Sequence, residues 1–422
     1  MVDVWLPYGK SDVCVRIPAR NFLGSIEPKH VSAAAEAKAE VERALNEPIG
    51  SKRLSEIAQS EHKVAIVVDD FTRKPPTSTM LPLVLAELNA AGVKDENETV
   101  IFGCGTHRAV KPEEAKKILG EEAINRVKNI SHDCNAQDLV FVGKTKHGTN
   151  VRVNRVFAEA DLKLLVGDVN YHYYAGYGGG RKSVMPAISC KETINHNHAM
   201  LLDANARTGV LEGNPVHEDM TEAARLAKVD FILNVVTDSK GEIVKAFAGD
   251  LEQAFLEAVK LVDDMYRVKV ERRADIVVVS AGGYPADIDL YQAYKAVDNA
   301  LEVVKRGGTI IVVAECAEGH GNQVFYDWMT SLEELKKVER EIKRHFELGG
   351  HKAYYLLKAL KNHKIILVSS LPDYYANSVF KLKTARAVND ALREALKDAG
   401  SQAKVWAMPR GGYTLPEVKS AE

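Results

Sequence analysis

Beyond residue 273 the chain keeps to one repeating pattern, and that pattern limits its fold more than any other feature. Short apolar runs at 276–279, 309–314, 365–368 and 404–407 are separated by stretches of helical character at 290–305, 332–346, 350–360 and 385–399. The runs have strand length, and strands that alternate with helices imply a parallel sheet wrapped on both faces. Similar runs occur earlier, at 64–68, 99–102, 162–166 and 231–236, with helical stretches at 31–45, 80–91, 112–128 and 251–262. Strand-like stretches at 138–143 and 149–157, and a hairpin over 2–17 around Tyr8-Gly9-Lys10, make that half mixed. The fold class expected is therefore α/β in two domains. A mixed α/β domain covers 1–268 and a parallel-sheet α/β domain covers 269–422, divided at the charged segment 267–273.

Composition narrows the function classes. At 422 residues the chain is long for one domain, and 46% hydrophobic residues supply sizeable cores. A formal charge of −2 leaves no basic excess for neutralising phosphates, which argues against nucleic acid as a partner. No apolar run approaches the ~18 residues of a membrane span, and the opening MVDVWLPYGKSDV shows no basic-then-apolar leader. Five scattered cysteines without a C-x-x-C suit reduced thiols in a cytoplasmic protein.

In open α/β sheets, ligands bind beyond the carboxyl ends of the strands. Polar clusters fall there repeatedly in this chain. Asp70, Phe71, Thr72 and Arg73 follow the run 64–68, His107 follows 99–102, and His172 follows 162–166. In the second domain Tyr291 and Lys295 are four apart on one helix face, with Gln292 beside them. Singly, each cluster has a plainer explanation: an Asp70–Arg73 pair, a structural histidine, a solvated helix surface. Together they predict a cleft between the domains that takes a small anionic substrate and performs acid–base chemistry.

The densest cluster spans 168–200, DVNYHYYAGYGGGRKSVMPAISCKETINHNHAM. Its glycines, Gly178 and Gly179 among them, let backbone approach a bound group. Lys182 projects from a loop cleared of bulk. GYGGGRKS is not a phosphate-binding P-loop, because Arg181 stands where that motif needs glycine and Pro186 interrupts the helix that should follow. Ser189 and Glu192 form a capping-box pattern, so a helix should begin near Cys190. His196 and His198 then lie on different faces of it and do not chelate one metal as a pair. The stretch reads as a lysine-held cofactor or anion with imidazole nearby, or else as a surface glycine loop with incidental histidines.

The combination DDFTR, GTHR, H-x9-K within HYYAGYGGGRK, NHNHAM and YQAYK resembles the nickel-pincer lactate racemase family over most of the chain. The resemblance implies that Lys182 carries a nickel-pincer nucleotide, a nickel-containing pyridinium mononucleotide bearing thioamide and thiocarboxylate groups, through a thioamide bond. It implies His198 as nickel ligand and His107 and His172 as the acid–base pair. It places Asp70, Phe71, Thr72, Arg73, Gly178 and Gly179 around the cofactor, and Arg73, Tyr291, Gln292 and Lys295 around a small 2-hydroxy acid. Cofactor-maturation enzymes are then partners.

That chemistry suits those residue types. The Cα–H proton of a 2-hydroxy acid is not acidic, so inversion by simple base abstraction is difficult. Loss of hydride from Cα with loss of the hydroxyl proton gives a planar 2-oxo acid, and returning hydride to either face leaves no net redox change. Histidine, with a pKa of ~6.5, suits the proton, and imidazole suits nickel. The competing classes are a pyridoxal-phosphate-type enzyme using Lys182 as a Schiff base, a zinc hydrolase lacking its usual ligand spacing, and a non-catalytic nickel or cofactor carrier.

Overall fold

The computed structural model describes residues 1–73 and 75–419; Lys74, within the DDFTRKPP loop, lies outside them. The chain forms two compact units. One comprises His30–Asp264, the other Met1–Lys29 together with Met265–Glu422. The division near 265 falls close to the charged segment, but the N-terminal residues depart from a linear split at 268. The strand Phe22–Ser25 pairs in parallel with Val405–Met408, which makes it an edge of the C-terminal sheet.

That C-terminal sheet has six strands, in the order Lys383–Thr384, Lys364–Val368, Val304–Val313, Ala274–Ser280, Val405–Met408 and Phe22–Ser25. Every neighbouring pair is parallel, as the alternation predicts. Its strands read as near-continuous Val/Ile runs because helices cover both faces. The expected hairpin is Val2–Tyr8 against Ser11–Ile17, and its Val4, Leu6, Val15 and Ile17 join the core of this unit.

The sheet of the other unit also has six strands. The order is Ile243–Gly249, Phe231–Thr237, Leu162–Asp168, Val64–Asp69, Glu98–Gly103 and Lys128–Ser131, with only the first pair antiparallel. One face carries Val64, Ile66, Val68, Val100, Phe102, Leu164 and Val166 against Met80, Leu81, Val84 and Leu88 of the helix Thr77–Ala90. From Val64–Asp69 the chain builds outward to Lys128–Ser131, then returns to add Leu162–Asp168 on the other side. The carboxyl ends of Val64–Asp69 and Leu162–Asp168 therefore mark the topological switch point, where α/β sheets open a crevice.

Two local expectations are corrected. The stretch 149–157 is a strand only over Asn150–Val153. Asn154 then accepts from the backbone N–H groups of Val156 and Phe157 and starts the helix Arg155–Glu159. The helix over 31–45 begins later, at Ala37–Asn46, because Ala34 donates its N–H to Ile243 instead. Among the described residues no helix is long and apolar enough to cross a membrane.

Candidate active site

The loop after Val64–Asp69 begins with a buried carboxylate. Asp70 accepts from the Thr72 N–H at 3.0 Å and its hydroxyl at 2.6 Å on one oxygen, and meets His107 Nδ1 at 2.6 Å on the other. Burial pushes this carboxyl up, but the bonds from His107 and Thr72 outweigh it and hold Asp70 below its ordinary value. An ionised Asp70 can only accept, so Nδ1 of His107 carries the proton and Nε2 the lone pair. Phe71 packs between the His107 ring (6.4 Å) and the Arg108 guanidinium (3.8 Å), and Arg108 is fixed by Glu114. Arg73 is exposed, and its charge acts on Asp69, Asp168, His172 and Lys182.

After Leu162–Asp168 comes a miniature hairpin, Tyr171–His172 against Gly176–Tyr177. The hydroxyls of Tyr171 and Tyr177 both donate to Asp263 Oδ1, at 2.8 and 2.6 Å, which ties the hairpin to the helix Gln253–Tyr266. His172 stacks on Tyr173 at 4.8 Å and meets the edge of Tyr174 at 4.4 Å. Its Nδ1 accepts from the Ala175 N–H at 3.3 Å, so the proton of the neutral ring sits on Nε2. Burial, then the charges of Lys182, Arg73, His198 and Arg181, hold His172 well below the usual histidine value. The two histidines thus differ at the same atom: Nε2 is an acceptor in His107 and a donor in His172.

Lys182 sits in a 3-10 turn, Gly180–Ser183. Burial, then Arg73 and Arg181, lower its pKa well below 10.5 against the opposing pull of Asp69 and Asp168. The glycines before it answer first to the chain itself. A Cβ on Gly179, at φ +79°, would lie 2.5 Å from the Asp168 carbonyl oxygen, and one on Gly178 would lie 2.8 Å from Asn170 Oδ1. Arg181 is buried at 1% exposure. All five of its N–H donors are spent inside: on the carbonyls of Ala175, Tyr177, Gly178 and Gly179, and on His217 Nδ1 at 3.0 Å. Its guanidinium also lies 4.4 Å over Phe255. Arg181→Met should leave these buried acceptors unpaired and lower unfolding free energy by at least about 3 kcal/mol in urea titrations. Wild-type stability would mean the clamp is ornamental.

His217 adds a pH signature. Burial, then Arg181 and Arg225, push it down to about 3. Below about 6.5 the unfolded chain takes up a proton there that the folded chain refuses, so stability falls as pH drops from 6.5 towards 3. The slope is at most about 1.4 kcal/mol per pH unit for this one group. His217→Gln should flatten the acid limb of the stability profile by that amount; an unchanged slope would contradict the assignment.

The helix carrying His198 is Lys191–Ala199. Its cap is Cys190, whose sulfur accepts from the Thr193 N–H, and not Ser189, whose hydroxyl donates to Val184 O. His196 is exposed against the His147 carbonyl, while His198 is buried at 3% exposure. Asn197 donates its amide to Val216 O and Asp219 Oδ2, which fixes its oxygen toward His198 Nδ1 at 3.0 Å. His198 Nδ1 therefore carries the proton and Nε2 the lone pair. Burial, then Lys182, push this imidazole down to about 3.

Tyr291, Gln292 and Lys295 belong to the other unit, on the helix Leu290–Leu301, which Asp289 caps through the Gln292 N–H at 2.7 Å. Sequence reasoning missed what lies beneath them. His351 Nε2 is 3.5 Å from the Tyr291 hydroxyl, and the buried amine of Lys352 lies 5.3 Å from the Tyr291 ring and 5.0 Å from that of Tyr294. Burial, then Lys295, lower Lys352 to about 7. Asp69 and Asp168 were also passed over. Burial, then Asp168, push Asp69 up to about 7.

Two histidines and a lysine of lowered pKa thus stand on loops at or beside the switch point, and the comparisons say which family the chain belongs to. Residues 8–209 match the lactate racemase N-terminal domain model and residues 268–414 the lactate racemase C-terminal domain model. The chain is 36% identical to the lactate racemase of Thermoanaerobacterium thermosaccharolyticum over 429 residues, covering 99% of this chain and all of that one. It is 33% identical to the lactate racemase of Lactiplantibacillus plantarum over 424 residues, covering 97% and 99%. The structure of the T. thermosaccharolyticum lactate racemase apoprotein superposes with a TM-score of 0.91 at 33% identity, over 98% of this chain and all of that one. A Thermotoga maritima protein shares the fold, with a TM-score of 0.66 at 20% identity, over 93% and 100%. The chain belongs to the lactate racemase family, whose members are isomerases.

Proposed function

We propose that this enzyme racemises or epimerises a small 2-hydroxy acid, lactate or a related 2-hydroxy carboxylate, with a nickel-pincer nucleotide joined to Lys182. The observation that carries this reading is the contact of Asp70 with His107 Nδ1, which leaves Nε2 of the neutral ring as a base, with a second histidine, His172, on the loop after Leu162–Asp168. A racemase needs a base for one enantiomer and a protonated partner to finish the other, and two histidines on separate loops can exchange those roles.

The residues present suit the cofactor. Lys182, shifted toward the neutral amine, is the form that bonds to carbon. His198 directs a lone pair from Nε2, with Nδ1 held by an amide in the arrangement that orients metal-ligating histidines. Among the described residues no three His, Cys, Asp or Glu side chains converge as a metal site. Nickel held by His198 would draw its remaining donors from the cofactor's own sulfur and carbon atoms. When bound, that group supplies a reversible hydride acceptor.

The chain's own contribution is proton handling and positioning. His107 Nε2 takes the hydroxyl proton of one enantiomer while Asp70 stabilises the imidazolium that results. His172, which must first carry a proton as imidazolium, returns it from Nε2 as the opposite face is rebuilt and is left neutral, and in the reverse direction the roles exchange. Arg73 provides positive charge for a carboxylate, and by resemblance Tyr291, Gln292 and Lys295 add substrate contacts. Asp70, Phe71, Thr72, Gly178 and Gly179 shape the cofactor's surroundings, Asp70 through His107. The five cysteines are free thiols, which supports a cytoplasmic setting.

The test is production with cofactor-maturation enzymes, followed by intact mass and chiral chromatography over a panel of 2-hydroxy acids. Interconversion of enantiomers by the mass-shifted protein is the expected result. Tight cofactor or nickel retention without turnover of any panel member would favour a carrier, and a borohydride-reducible chromophore on Lys182 would favour the pyridoxal class.

A further inference from the structure

The face of the sheet turned away from Met80 and Val84 ends in an unusual row. Reading across neighbouring strands in register, it runs Gly103, Asp69, Gly167, Asn234. Glycine flanks Asp69 on both sides, and each glycine makes room for something. A Cβ on Gly167 would come within 2.9 Å of Asp69 Oδ2, and one on Gly103 within 2.7 Å of the Ala187 Cβ.

The segment 180–187 lies along this row. At one end the Gly180 N–H donates to Asn234 Oδ1 at 2.9 Å. At the other, Ala187 covers Gly103 and its carbonyl accepts from the Gly105 N–H at 2.9 Å. Lys182 stands between those anchors, above the stretch of sheet that holds Asp69. Asp168 ends the neighbouring strand and accepts from Asn170 Nδ2 at 2.6 Å. Among the described residues no protein donor hydrogen-bonds the partly buried Asp69 carboxylate, so within the protein its compensation is charge.

We propose that Asp69, backed by Asp168, is the proton partner of Lys182: it receives the proton that the ammonium gives up as the amine becomes free to bond carbon. The step balances as ammonium plus carboxylate giving amine plus carboxylic acid. The pair's net charge does not change, so no new ion is left in a partly buried floor where a lone charge is costly. The surroundings favour this direction. Arg73 and Arg181 press the proton off Lys182, while burial and Asp168 favour the acid form of Asp69; His172 and His198 lie within reach of the same lysine charge. Asp69 is thus a positioning residue acting through Lys182. The inference rests on the reading that Lys182 is the attachment point.

The experiment uses full-length protein made without the maturation enzymes. Lys182 acylation by a water-soluble N-hydroxysuccinimide acetate ester is followed by peptide mass spectrometry from pH 5 to 10, with exposed Lys10 as internal reference. Two coupled groups shed protons in steps that belong to the pair, so wild type should give a two-step profile. Asp69→Asn should give one step, with its midpoint about 1 unit lower because an attracting anion is gone. Asp168→Asn should move the profile the same way by less. Reciprocally, Lys182→Met should raise the Asp69 titration, read from carboxyl carbon shifts in aspartate-labelled protein. Superposable profiles in wild type and both aspartate variants would overturn the proposal, as would an Asp69 titration indifferent to Lys182→Met. Co-production with the maturation enzymes separates the two readings. A cofactor adduct on Lys182 with unshifted profiles defeats only the proton-partner inference, and shifted profiles without an adduct defeat only the attachment reading.

Discussion

Lys182→Ala protein, co-produced with the maturation enzymes, should emerge at its unmodified mass and racemise nothing above background. The expected fall is about 10⁴-fold or more, because on the proposed reading the whole hydride-accepting apparatus depends on one attachment. Fold should survive, since the clamp on the glycine loop comes from Arg181 and Asn234 and not from Lys182. Urea unfolding near the wild-type midpoint would establish that. The informative control is Lys182→Arg, which keeps the positive charge but cannot form the amide-type bond and should be equally inert. Full activity in either variant, or a wild-type enzyme whose peptide containing Lys182 is unmodified, would remove the lysine from the mechanism.

Asp70→Asn should be nearly as damaging although the residue need not touch substrate. The amide can present an N–H to His107 Nδ1, which then becomes an acceptor and places its proton on Nε2, the atom that must take one. Removal of a correctly poised base typically costs ~10²–10⁴ in rate, and a carboxylate-to-amide change beside a catalytic imidazole in another enzyme lies at the top of that range. The loss should appear in kcat with KM little changed, and His107→Ala should lose a similar factor without adding to it. Single-turnover mixing with each enantiomer extends the test. His107→Ala and His172→Ala should each still oxidise one enantiomer once, and not the same one. Wild-type kcat in Asp70→Asn would show that the 2.6 Å contact with His107 is structural.

Much of the candidate site was legible because its polar side chains occupy strand ends, and strand ends can be read from apolar runs. His107 and His172 were singled out that way, and the switch point joins the loops that carry Asp70 and His172. The parts that escaped depend on register, which pairs residues far apart in sequence. Asp69 looked like the neighbour of Asp70, yet period-2 alternation turns it to the opposite face, and its setting is made by Gly103 and Gly167 on other strands. The glycine loop looked as if cleared for a ligand, while Gly178 and Gly179 are required by Asn170 and Asp168. Arg181, which in the sequence only broke the P-loop pattern, spends its donors closing the loop on itself. Lys352 sat in a stretch read simply as helix, with nothing in its spacing to mark it as buried. Ser189 satisfied the capping pattern, and lost the role when its hydroxyl turned to Val184.

The parallel pairing of Phe22–Ser25 with Val405–Met408 sets an order of events during synthesis. A ribosome adds roughly 5–20 residues per second, so the early strand waits roughly 20–80 s for its partner to be made. In that interval the intervening residues 30–264 can complete their own sheet, and Lys182 and its floor can form, while the opening hairpin is still without most of its core. Nascent chains stalled with residue 264 just outside the ribosome, before Ile276 and the rest of the hairpin's core have emerged, should therefore protect the switch-point loops from protease and leave the first 29 residues open to it.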